Sequence, residues 1–284
     1  MTRFRGTHRT TYTYSHPVFL DPHTIRLRPR SDPGQLVHDY AIEIDPAPAG
    51  LSPVLDAWGN YVEYAWFSGS HERLVITTRF DVERVRANPY DFIVPSEEAA
   101  ALPPRYPDHE IDALQPYLKK LDIGEGVREL ATATAASTGN VLDFAAKLAV
   151  AIGDRIDMIA RPEGDPYGGQ ETLDLGRGSC RDTAVLYIEA CRHVGIAARF
   201  VSGYVEHHDE GEPRDLHAWA GIYVPGGGWR GFDPTQGLAV STGHVTLAAA
   251  GVPAGAASVT GTFVGADAPT ELQSTIDFDV STTS

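Results

Sequence analysis

The sequence predicts an α+β fold. A β-rich, sandwich-like domain occupies 1–100, and a second unit over 101–284 has a helical lead-in and a β segment toward its C-terminal side. Three observations predict it. Apolar and polar residues alternate with period two in several short runs between 8 and 82. Proline and alanine crowd residues 89–107, with Leu-Pro-Pro-Arg-Tyr-Pro at 102–107, which marks a connection. Beyond it the apolar spacing changes to the three-to-four repeat of helices.

The β-rich part contains alternating runs at 8–14, 24–28, 40–44, 61–67 and 74–82. Ser15-His-Pro17 is expected to end the first of them, because proline cannot donate to a ladder. Asp56-Ala-Trp-Gly-Asn60 is a turn between strands. Arg26, Arg28 and Arg30 share one strand face, which reads either as a solvated face or as an anion patch.

Helices are expected at 111–118, 127–135 and 141–158, the last capped by Asn140. Residues 164–169 read as a loop. The run 182–194 places Val185, Ile188, Cys191 and Val194 on one stripe, and Gly195 stops it. Strands follow at 197–205, 216–224 and 229–232, with Pro225-Gly-Gly-Gly228 as a hairpin. Strand-like pieces at 259–264 and 275–280 complete the chain.

Composition narrows the function. Lys plus Arg number 23 against 38 Asp plus Glu, a net charge of −15. That balance argues against a nucleic-acid or anionic-membrane partner. No apolar run has the length of a membrane span, and the first residues do not read as a secretory signal. The two cysteines, Cys180 and Cys191, would be about 16 Å apart on one helix, too far to bond to each other. Two free thiols fit a cytoplasmic location.

The chemistry concentrates in three segments. Gly178-Ser-Cys-Arg-Asp182 puts Cys180 where a helix begins, and the partial positive charge there favours an anion. Asp215-Leu-His-Ala-Trp219 carries His217 on a strand. Gly228-Trp-Arg-Gly-Phe-Asp-Pro-Thr235 ends the neighbouring strand at Asp233. Antiparallel pairing would set His217 beside Asp233, leaving the imidazole to take the Cys180 proton. The plain alternative is a buried structural cysteine with two unrelated polar residues; agreement of three flanking contexts weighs against it. The Cys180 N–H is the expected first oxyanion donor, with Gln170 and Tyr167 as candidates for the second. Asp182 suits a helix start without any further role. His207-His-Asp-Glu210 reads as a solvated acidic loop, since neighbouring strand side chains face opposite ways and no metal-type spacing occurs. His16, His23, His38 and His244 carry no spacing signal.

Taken jointly, these segments closely resemble the bacterial transglutaminase-like cysteine peptidase family. Tyr12-Thr-Tyr-Ser-His-Pro-Val18, Ile25-Arg-Leu-Arg-Pro29 and Asp56-Ala-Trp-Gly-Asn60 are similar to its N-terminal domain. Glu171-Thr-Leu173, Gly176-Arg-Gly-Ser-Cys-Arg-Asp182, Ala197-Ala-Arg-Phe-Val-Ser-Gly-Tyr204 and the His217 and Asp233 segments are similar to its core. The resemblance implies a papain-like, transglutaminase-like core with Cys180, His217 and Asp233 as a catalytic triad. It implies acyl transfer from a peptide or protein amide through a thioester, without cofactor. Water as acceptor gives hydrolysis; an amine gives cross-linking, here independent of metal because no calcium-type acidic cluster is evident. A non-catalytic assembly protein keeping the fold is the third possibility. An ATP-grasp-type pathway partner is a family-level expectation. The chain departs from the pattern at Gly221, where an acidic residue is common, and in the bland Ala/Gly stretch 248–258.

Overall fold

A computed structural model describes the chain except residues 121, 163, 207–213, 266–267 and 283–284. His207-His-Asp-Glu210 therefore lies outside the described residues.

The N-terminal part is built on one long strand, Thr2–Leu20, flanked by Ser70–Arg84 and Thr270–Thr282. Gln35–Asp45 extends this sheet beyond Ser70–Arg84, and Phe263–Val264 pairs with the far end of the long strand. A second sheet runs in the order Val259–Thr260, His23–Ile25, Tyr61–Trp66, Gly50–Leu55. Two expectations are corrected here. Pro17 does not end the first strand; the ladder with Ser70–Arg84 shifts register between Thr13 and Val18, so the chain absorbs the missing donor in an irregularity and resumes. The C-terminal strand, expected as part of the second unit over 101–284, pairs from Thr2↔Thr282 to Tyr14↔Thr270 and so completes the N-terminal sheet. Its register buries Ile276 and Phe278 on the same side as Phe4, while intervening residues face solvent.

The second unit carries helices Asp108–Leu118, Glu125–Ala136, Val141–Gly153, Gly169–Leu175 and Cys180–His193. Val141–Gly153 is shorter than the expected span to 158. Residues 157–158 instead pair in parallel with Arg177–Gly178. Its start follows the sequence, with the Asn140 side chain accepting from the Leu142 and Asp143 amides at 3.0 and 2.9 Å. The core sheet is antiparallel, in the order Leu238–Ala239, Gly228–Asp233, His217–Val224, Ala198–Val205, His244–Ala250. No helix among the described residues is long and apolar enough to cross a membrane.

Alternation along His217–Val224 decides what packs where. Ala218, Ala220, Ile222 and Val224 join Ala184, Tyr187, Ile188 and Cys191 of helix Cys180–His193 in one buried cluster. Small residues on the strand let the helix approach closely. Full burial of a large apolar side chain contributes about 1.5–3 kcal/mol, so this seam anchors the helix whose first residue is Cys180. At its other end Gly195, with φ +85°, adopts the left-handed conformation, and the Ile196 amide donates back to the Cys191 carbonyl at 2.9 Å.

The two units share a second cluster. Tyr204, Val245 and Leu247 of the core sheet pack with Phe4, Phe80 and Phe278, and the Tyr204 ring stacks on Phe80 at 4.8 Å. The predicted turn 56–60 adds a polar seam. Asp56 accepts from the amides of Trp58 and Asn60, each at 2.9 Å. Fully buried Asn60 then bonds both the amide and the carbonyl of Ala249, at 2.8 and 3.1 Å. The three arginines of the 26–30 run form neither a solvated face nor an open anion patch, because each is taken up by a partner within the protein. Arg26 pairs with Asp56 at 3.3 Å, Arg28 lies over the Tyr61 ring at 4.7 Å, and Arg30 bonds Asn60.

Candidate active site

Cys180 is the first residue of its helix, partly exposed at the edge of the buried cluster. At that position its N–H has no carbonyl one turn back to bond to and is left for a ligand. The preceding residue closes a capping box. The Ser179 amide and hydroxyl donate to Asp182 Oδ2 at 2.6 and 2.8 Å. Asp182 does more than start a helix. Fully buried, it also accepts from Arg161 Nη1 at 2.6 and 2.7 Å and from the Tyr167 amide at 2.7 Å. Arg161 in turn stacks over the Tyr167 ring at 3.5 Å. One carboxylate thus ties Arg161 and Tyr167 to the helix start beside the thiol. Burial alone would raise the Asp182 carboxyl; the bonds from Arg161, Ser179 and Tyr167 outweigh it and hold the group below the usual range.

His217 is the first residue of its strand and pairs with Gly203. The hairpin returns through the glycine turn, with Val224 opposite Gly228, and ends at Asp233. His217 Nε2 lies 2.7 Å from Asp233 Oδ2. Burial opposes charge on the His217 ring, but the Asp233 bond, the nearby Cys180 thiol and the Asp233 charge together push it up to about 10. The structure therefore brings together all three predicted residues.

Two further residues, not foreseen from the sequence, complete the carboxylate's surroundings. Thr235 donates to Asp233 Oδ1 from its amide at 2.9 Å and its hydroxyl at 2.6 Å. His244, buried on the edge strand His244–Ala250, places Nε2 3.1 Å from the same Oδ2 that His217 uses. Asp233 is fully buried with both oxygens engaged; burial would raise it, yet the bonds from His217 and His244 hold it far below the ordinary carboxylate range. Burial lowers His244 despite its Asp233 partner, and His244 Nδ1 has no hydrogen-bond partner among the described residues. A neutral His244 donating from Nε2 satisfies both facts. The Trp219 indole packs against both rings, at 6.1 Å from His217 and 5.1 Å from His244.

His217, Asp233 and His244 offer ligand atoms all within 4.8 Å of one another. Both imidazoles spend their Nε2 atoms on one oxygen, so a metal ion here would replace the hydrogen bonds that orient His217.

The candidates for a second oxyanion donor fare differently. Gln170 turns away: its Oε1 accepts from the Gly126 amide at 2.9 Å and its Nε2 donates to Asp174 at 2.7 Å. The Tyr167 amide is committed to Asp182.

Residues 4–83 match the bacterial transglutaminase-like N-terminal region, and residues 128–234 match the transglutaminase-like superfamily core, a span that includes Cys180, His217 and Asp233. Residues 128–234 belong to the transglutaminase-like superfamily. Its relatives include an uncharacterized protein of Mycobacterium tuberculosis, 29% identical over 260 residues that span 86% of this chain and 82% of the relative. Another, from Mycobacterium leprae, is 26% identical over 255 residues, 87% of this chain and 88% of that one. A solved structure from Cytophaga hutchinsonii, described as a candidate cysteine protease, superposes with a TM-score of 0.72 over 99% of this chain and 90% of that chain, at 20% identity. At that identity the likeness is one of fold. The transglutaminase-like core accounts for the helix carrying Cys180 and the strands carrying His217 and Asp233; His244 lies beyond the matched span.

Proposed function

We propose that the protein is a cysteine-dependent amide or peptide hydrolase working by acyl transfer on Cys180, His217 and Asp233. The observation that carries this reading is the chain of contacts from a helix-start thiol, through His217, to a buried Asp233. The Cys180 sulfur attacks the amide carbonyl with its proton held on His217. The Cys180 N–H at the helix start receives charge that develops on the carbonyl oxygen. The tetrahedral intermediate collapses as His217 hands its proton to the leaving amine, and a thioester remains. Water, deprotonated by His217, then attacks the thioester; the acid is released and the thiol is restored. Asp233 remains ionised throughout and fixes the imidazole's tautomer and orientation.

Amine transfer uses the same thioester with a different acceptor. The test is a turnover assay on a peptide library with mass-spectrometric detection of a Cys180 acyl adduct. Release of free acid dependent on Cys180 supports hydrolysis. Amine incorporation outpacing hydrolysis would reassign the protein as a transglutaminase. No Cys180-dependent product from any peptide would leave the fold without this chemistry.

A further inference from the structure

A second feature shares Trp219 with the site. His217, Trp219 and Gly221 alternate onto one face of their strand, so each step along it moves about 6–7 Å away from the histidine. Where Trp219 and Gly221 line that face, beneath residues of the N-terminal part, there is a cavity of about 80 Å³. Arg84, Arg86, Arg199 and Arg230 all line it, against a single carboxylate, Asp32.

None of these four arginines forms an ion pair among the described residues. Arg84 is buried, held by Gln35 Oε1 at 3.2 Å and the Ser241 carbonyl at 3.0 Å, but its Nε has no partner among the described residues. The buried Nε atoms of Arg199 and Arg230 are likewise without partners among these residues. Arg199 lies over the Trp229 ring at 4.1 Å and Arg230 over the Phe92 ring at 4.5 Å. Stacking takes up the faces of these two guanidinium groups and leaves their N–H edges for a ligand. Burial and the neighbouring Arg30 charge push Arg199 down to about 9. Four like charges are gathered here in a chain whose overall charge is −15, with one carboxylate, Asp32, lining the cavity against them.

We propose that this cavity is a binding site for one compact oxyanion, a carboxylate or a phosphate, held by Arg84, Arg199 and Arg230 with Arg86 beside them. The cavity has the size of a single such group rather than of a nucleotide or a peptide. Guanidinium edges suit planar, bidentate recognition of either anion. Gly221 keeps the space open: a Cβ there would sit 3.3 Å from Cγ and Nε of Arg199. A carboxylate carried by residue 221 would therefore fill the site from within.

The test is calorimetric titration of the full chain at low salt with inorganic phosphate and, separately, with glutarate. The expected result is one saturable site that weakens as salt rises. Arg230→Gln and Arg199→Gln should each weaken binding tenfold or more, and Gly221→Asp should abolish it, all with the circular dichroism of the parent. Should Arg199→Gln fail to fold, Arg230→Gln and Gly221→Asp carry the test. Binding of phosphate alone marks a phosphate site, of glutarate alone a carboxylate site, and of both a general oxyanion site. Absence of saturable heat with either anion, or unchanged affinity in the folded variants, overturns the proposal.

Discussion

His244 and His217 meet on one atom: both imidazoles place Nε2 on Oδ2 of Asp233, at 3.1 and 2.7 Å. The carboxylate that orients the candidate base is thus itself held by a second histidine from a strand at the opposite edge of the sheet. His244→Phe should remove that hold without emptying the site. A lost bond to a buried charged group predicts about 1.5–3 kcal/mol of destabilisation in urea unfolding. Turnover should fall with KM nearly unchanged, since His244 touches the orienting acid rather than the substrate. Unchanged turnover in a folded variant would reduce His244 to a packing role.

The two thiols should part company under alkylation. Cys191 is fully buried, and burial pushes its thiol up; Cys180 is partly exposed beside His217. Iodoacetamide near neutral pH should modify one cysteine per folded chain, at position 180. His217→Ala should slow that reaction. Cys180→Ala should keep the fold and reduce turnover by a factor of thousands or more, as expected for a nucleophile acting within a unit.

Stability should respond to alkali through His217. Its folded value is raised to about 10, against about 6.5 in an unfolded chain. The folded state therefore holds the proton more tightly. Its contribution is full below about pH 6.5 and is lost as pH rises toward 10. Asp233 acts in the opposite sense: its depressed folded value contributes above about pH 4, and that contribution is lost on further acidification. Urea midpoints measured from pH 6 to pH 10 should decline, and His217→Gln should flatten the decline. An equal slope in parent and variant would exclude His217 as its source.

Asp182→Asn tests the loop tie. The carboxylate accepts from Arg161, Ser179 and Tyr167 within a fully buried environment. An amide cannot accept all of these, and each unsatisfied buried group costs about 1–3 kcal/mol. Hydrogen exchange should rise in residues 161–167 and at the helix start before the rest of the chain opens.

Much of this was legible in the chain. The alternation of 61–67 and 74–82, the Asn140 cap, the Gly195 stop and the order of thiol, histidine and acid all express local rules, and the structure follows them. Asp182 suited a helix start, and the structure adds the capping box with Ser179 and the tie to Arg161. Other features had no local signature. His244 meets Asp233 only because Ala198–Val205 and His217–Val224 lie between their strands, and nothing around residue 244 announces it. The cluster of Arg84, Arg199 and Arg230 is assembled from three distant segments. Pro17 looked like a stop because a break in the ladder and an irregularity that continues it have the same local chemistry. The partner of the last strand was likewise invisible, since pairing between Thr2 and Thr282 depends on topology rather than on neighbours.

That pairing bears on how the polypeptide comes off the ribosome. Until Thr270–Thr282 has been made, one flank of residues 2–14 has no mate, and an unoccupied flank invites foreign strands. Arg3, Arg5 and Arg9 punctuate it, positive charges that discourage such adhesion while the nascent chain waits for its own closing segment.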